Sequence, residues 1–141
     1  MVTPTGPFLC YALAARKKAR HLSRLYDSHL APAGLSVSQF SILSLLDAHG
    51  QLKITELADV LSMERTSLVR ALKPLQTAGL VVTQRPDSSR AFDVKLSRRG
   101  YEKVAEALPL WEDAQAAFEH EVGRDRAVRL RNEILKLHFR A

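Results

Sequence analysis

The chain has 141 residues, 46% of them hydrophobic and 26% charged, which suits one domain with a modest core. No apolar run reaches the roughly 18 residues that a membrane helix needs. The net charge of +6 is held unevenly: residues 51–100 carry nine bases against five acids and residues 101–141 seven against eight, as expected of a polyanion-binding unit carried on flanking elements.

Helical periodicity dominates the first half. Phe8, Ala12, Ala15, Ala19, Leu22, Tyr26 and His29 recur at steps of four and three, which predicts a first helix from about Phe8 to Leu30. Its other side carries Arg16, Lys17, Lys18, Arg20 and Arg24. Ala31-Pro32-Ala33-Gly34 ends it. A second helix, from Ser36 or Ser38 to about Ala48, is apolar almost all round through Phe40, Ile42, Leu43, Leu45 and Leu46, so it should be buried. Ile54, Leu57, Ala58 and Leu61 give a short amphipathic third helix with Thr55 as its cap. A fourth, from about Glu64 to Ala78, turns Leu68, Leu72 and Leu75 inward and offers Arg65, Thr66, Ser67, Arg70 and Lys73 outward. Pro74 should bend its last turn, and Gly79 ends it.

The period then shortens. Leu80 to Arg85 reads as a strand, Pro86-Asp87-Ser88-Ser89 as a turn, and Ala91 to Leu96 as an alternating strand, together a hairpin. Ser97 caps a fifth helix whose stripe runs Val104, Leu108, Trp111, Gln115, Phe118 and Val122, with a kink expected at Pro109. Trp111 is read as interface core. After Gly123, a last helix carries Leu130, Ile134 and Leu137.

Two short helices joined by a tight turn, the second bearing hydroxyls and bases, form a helix-turn-helix. A major groove about 12 Å wide admits one helix. In it Arg bonds guanine through two donors, and Ser or Thr bonds bases or phosphates. Arg65, Thr66, Ser67 and Arg70 fit those roles, and Lys73 suits a phosphate. At the hairpin, Arg85 and Arg90 flank the polar tip, placed for a minor groove, with Ser88 and Ser89 between them. The fold class is therefore mainly α with a small β-hairpin wing. A winged helix-turn-helix core over 34–99 is flanked by dimerisation helices over 1–33 and 100–141. The apolar stripes at both ends exceed what the central unit can cover, and a homodimer would place two reading helices about 34–36 Å apart.

The sequence resembles the MarR family of bacterial winged-helix regulators over nearly its whole length. The resemblance rests on Arg24-Leu25-Tyr26-Asp27, Leu30-Ala31-Pro32-Ala33-Gly34-Leu35 and Gln39-Phe40 in the first two helices. It continues in Ile54-Thr55-Glu56-Leu57-Ala58, Arg65-Thr66-Ser67-Leu68-Val69-Arg70, Leu75 and Ala78-Gly79-Leu80-Val81 of the DNA-reading core, and in Leu96-Ser97-Arg98-Arg99-Gly100 at the exit of the wing. It implies a homodimer on palindromic double-stranded DNA, usually a repressor released by a small molecule or by oxidation. The family's Asp-x-Arg at the wing is altered: Arg90 holds the arginine position, Ser88 the aspartate position, and Asp87 lies one residue early.

Leu9-Cys10-Tyr11-Ala12-Leu13 is similar to the first helix of organic-hydroperoxide sensors in that family, so a thiol-based sensor acting through Cys10 is the alternative function. The tyrosine positions of those sensors are Ala14 and Val37 here, and Cys10 is expected to be buried and inert. A single cysteine closes no internal disulfide. The five histidines form no tight helical pair, so no metal is expected. No phosphate-cradling glycine loop, Ser–His–Asp set or paired carboxylates are present, so neither cofactor nor enzyme activity is expected. The start MVTPTGPFLC does not read as a secretory signal, so a cytoplasmic location with no membrane partner is expected. A reading of another class is a helical protein-interaction dimer with degenerate DNA binding.

Overall fold

The computed structural model describes residues 3–85 and 91–141. A 3-10 turn at Gly6–Leu9 precedes helix α1 (Tyr11–Leu30). The expected helix from Phe8 is thus broken at Cys10, whose backbone is extended and whose Sγ accepts the Leu13 N–H at 3.4 Å. Cys10 is exposed, which corrects the expectation of a buried thiol. A further 3-10 turn, Ala31–Ala33, leads to Gly34 at φ 72°.

Helix α2 (Val37–His49) begins in a capping box. Gln39 N–H donates to Ser36 Oγ at 3.2 Å, and Ser36 N–H donates to Gln39 Oε1 at 3.0 Å. The Asp27 carboxylate accepts the Val37 N–H at 2.7 Å, which ties α1 to the start of α2. Strand β1 (Leu52–Lys53) leads directly into α3 (Ile54–Leu61). Lys53, not Thr55, is the cap: its N–H donates to Glu56 Oε2 at 2.9 Å, and Thr55 is the second residue of the helix. Ser62 closes α3 in the left-handed region at φ 53°.

Helix α4 (Arg65–Thr77) contains Pro74 near its end. There the Leu80 N–H donates to Leu75 O and the Gly79 N–H to Gln76 O, both at 2.9 Å, the paired bonds of a Schellman motif with Gly79 at φ 73°. Strands β2 (Val81–Gln84) and β3 (Asp93–Leu96) pair antiparallel from Val81↔Leu96 to Gln84↔Asp93. β1 joins the other edge of β3, giving the order β1-β3-β2. Helix α5 (Arg98–Val122) runs unbroken through Pro109, and α6 (Arg124–Lys136) follows Gly123.

One core joins these elements. Leu30, Leu43, Leu46, Ile54, Leu57, Leu68, Leu72, Leu75 and Val94 are fully buried. α5 is the spine, packing on α1, α2, α6 and β3. Trp111 stacks on Phe40 with ring centroids 6.1 Å apart, so it fastens α5 to α2 within the chain. Its ring remains partly exposed in the single chain.

The start of α5 fixes the hairpin's base. Ser97 Oγ accepts the Gly100 N–H at 3.1 Å and donates to Gly79 O at 2.5 Å, while Ser97 N–H donates to Leu80 O at 3.0 Å. A Cβ on Gly100 would strike that Leu80 oxygen and lie 3.1 Å from Leu96 Cδ2. Since backbone cannot swing aside, Gly100→Ala is expected to cost about 1–3 kcal/mol through overpacking. That outweighs the ~1 kcal/mol or less that alanine returns in a helix. Urea unfolding measures it, and a variant as stable as the wild type would contradict this packing.

Candidate nucleic-acid interface

Helix α4 is held by one face. At about 100° per residue, Leu68, Leu72 and Leu75 fall within one narrow arc, and all three are buried. Thr66, Arg70 and Lys73 lie nearly opposite, and all are exposed. Ser67, also exposed, flanks that strip, while Arg65, exposed at the first residue of the helix, lies nearer the leucine side. Thr77 shares the outward strip and is exposed. The sequence reading passed over it, although the same arithmetic would have found it.

The turn before α4 is set by backbone. Ser62 and Met63 donate their N–H groups to Asp59 O at 3.1 Å and Ala58 O at 2.9 Å, and α3 packs on α4. The Arg65 guanidinium lies over the Phe92 ring, 5.9 Å from its centroid. A guanidinium over an aromatic face is attractive, so Arg65 links the head of α4 to the hairpin's second arm. Gln76 Nε2 donates to Thr83 Oγ1 at 3.3 Å and joins the far end of α4 to β2. At the opposite edge, Gln51 Nε2 donates to Asp93 Oδ2 at 2.6 Å. None of these three links was visible in sequence, because each depends on tertiary approach. Arg85 follows β2 and is exposed. Ser88, Ser89 and Arg90 lie outside the described residues.

The flanking helices hold a second feature. A groove of about 430 Å³ between α1, α5 and α6 is lined by Leu22, Tyr26, Phe118, Glu119, Val128 and Ile134 among others. The Tyr26 hydroxyl donates to Gln115 Oε1. Burial, with the Glu119 carboxylate adding to it, raises the Tyr26 phenol above its ordinary value, so it stays a donor at neutral pH. Gln115, the one polar member of the α5 stripe, thus finds its partner 89 residues away in sequence. Among the described residues no three His, Cys, Asp or Glu side chains cluster as metal ligands. No single helix there is long and apolar enough to cross a membrane.

Residues 33–90 match the family profile described as MarR family. The chain is 30% identical over 112 residues to the HTH-type transcriptional regulator FarR of Neisseria gonorrhoeae, covering 77% of this chain and 75% of that protein. Among solved structures it is similar to the M. tuberculosis transcriptional regulator MosR in complex with DNA, at TM-score 0.74 and 31% identity, covering 91% of this chain and 99% of that one. It is also similar to the transcriptional repressor CouR bound to a 23-mer DNA duplex, at TM-score 0.80 and 26% identity, covering 95% and 97%.

Proposed function

This chain belongs to the MarR family of DNA-binding transcriptional regulators, and from that premise we propose that it is a homodimeric repressor of a palindromic operator, released by a small molecule. The observation that carries the reading is the strip on α4: Thr66, Arg70 and Lys73 exposed above a buried leucine face. A helix seated this way offers donors to base edges without exposing its own core contacts. In this reading Arg70 and Thr66 meet bases, Lys73 meets phosphate, and Arg65 and Ser67 border the groove. Arg85, Ser88, Ser89 and Arg90 serve the wing. Residues 1–33 and 100–141 supply the dimer contact, and residues 34–99 the DNA-reading unit. CouR, a repressor of the same fold, lends support to repression. The groove beside Tyr26 and Glu119 is where an effector would bind, apolar with few polar groups, as small-molecule sites are.

The test is operator binding by the wild type and Arg70→Ala, with the operator found by selection from a random duplex pool. Losing one bidentate base contact costs about 1–3 kcal/mol, or roughly 5- to 150-fold in affinity, with relaxed preference at one base pair. Unchanged affinity and sequence preference would refute the reading surface.

The exposure of Cys10 favours a second reading, release by oxidation. Peroxide should then free DNA from the wild type and not from Cys10→Ser. An equal response from both proteins removes this alternative.

A further inference from the structure

The first 26 residues contain five bases and no acid. Four of those bases, Arg16, Lys17, Arg20 and Arg24, fall within an arc of about 100° on α1, and all four are exposed. The arc lies opposite the stripe of Ala15, Ala19, Leu22 and Tyr26. Asp27, the first acid, falls inside the arc one turn beyond Arg24, but its carboxylate accepts the Val37 N–H. Lys17 Nζ sits 5.1 Å from the centroid of the Phe8 ring. Among the described residues the ion pairs are Arg98–Glu102 and Lys103–Glu106, so Arg16, Lys17, Arg20 and Arg24 form no ion pair. Like charges four residues apart destabilise a helix, and Arg16, Arg20 and Arg24 form two such steps in a row. α1 packs on α5 and α2, while the reading strip lies on α4, so this is a separate surface.

We propose that the Arg16–Arg20–Arg24 face of α1 is a second DNA contact, one that grips phosphates without reading bases. The inference rests on the chain's being a DNA-binding regulator. Each arginine step rises about 6 Å along the helix, close to two nucleotide rises of about 3.4 Å on one DNA strand. Arginine also suits phosphate, which its planar fork meets with two donors. An anionic membrane fits less well. The one large apolar side chain inside this arc, Leu13, is partly buried, and Ser23 and Ser28 beside the arc are polar, so this face has little free apolar bulk to insert between lipids.

The experiment uses the full chain and a duplex of random sequence, about 40 base pairs long, titrated across a salt series. The variants are R16Q/R20Q/R24Q and R16K/R20K/R24K. The glutamine variant is expected to lose about tenfold or more in affinity at low salt. Its log Kd against log salt should flatten by about 2–3, near 0.9 for each phosphate released. The lysine variant should regain most of both, since it restores charge. Thermal melting by circular dichroism checks that both variants fold. If the glutamine variant keeps the wild-type slope, the proposal is overturned while DNA binding by α4 stands. If the wild type binds no duplex at all, the DNA-binding reading fails with it. Charge-dependent capture by phosphatidylserine vesicles with an unchanged DNA slope would assign the face to lipid and overturn the proposal.

Discussion

Leu68→Ala is expected to destabilise the protein by about 2–5 kcal/mol, the range for leucine truncations in a packed core. Leu68 is fully buried at the end of the first turn of α4, in the same cluster as Leu57 of α3. Alanine's slightly better helix propensity recovers only a few tenths of a kcal/mol, so the cavity decides the outcome. Against a typical total of 5–15 kcal/mol, the loss is large enough to unfold a measurable fraction at room temperature. Function should suffer further in the molecules that stay folded. Arg70 lies two residues along the same helix, and a partly collapsed cavity shifts the base on which it stands. Urea unfolding should show a lower midpoint with an unchanged slope. Thr66→Ala, on the exposed side, should change stability by no more than about 0.5 kcal/mol. A Leu68→Ala protein as stable as Thr66→Ala would show that α4 is not seated by its leucines.

What the sequence disclosed and what it withheld divide along a physical line. Features set within one turn of helix could be read directly. The Ser36 cap, the Ser97 cap and the glycine exit at Gly79 all stand where expected, because their partners lie within five residues. The α4 leucine face could be read for the same reason, as periodicity alone assigns it. Features that depend on distant approach could not. β1 is two residues long, too short to alternate, and is a strand only because β3 lies beside it. Trp111 stands on a regular stripe that reads as interface core, and nothing near it in sequence identifies Phe40, 71 positions earlier, as the ring it stacks on. The polar Gln115 was conspicuous in an apolar stripe, but nothing nearby identified Tyr26 as its partner. Arg65 could be assigned to the exposed end of α4, while its contact with Phe92 required the hairpin to fold back. The break at Cys10 is a local feature that was missed, because the apolar spacing from Phe8 continued smoothly through it.

The largest effect on DNA binding should come from a change far from α4. Leu130 and Ile134 are 46% and 56% exposed in the single chain, and Leu135, Leu137 and Phe139 beyond them are more exposed still. Contiguous apolar surface of this kind marks an interface. In the proposed dimer a second copy covers it. A Leu130→Asp/Ile134→Asp variant would place two charges in that interface. Because neither side chain is part of the buried core, the single chain should keep its fold, with an unchanged far-ultraviolet circular dichroism spectrum. Sedimentation should report half the wild-type mass. Each monomer would then hold one half-site alone and lose the avidity of a linked pair, commonly 10²–10⁴ in affinity. That exceeds the roughly 5- to 150-fold expected from Arg70→Ala, since removing one base contact leaves both reading helices in place. A variant that still sediments as a dimer would move the interface off α6. A wild type that sediments as a monomer while binding its operator tightly would show that one reading helix suffices.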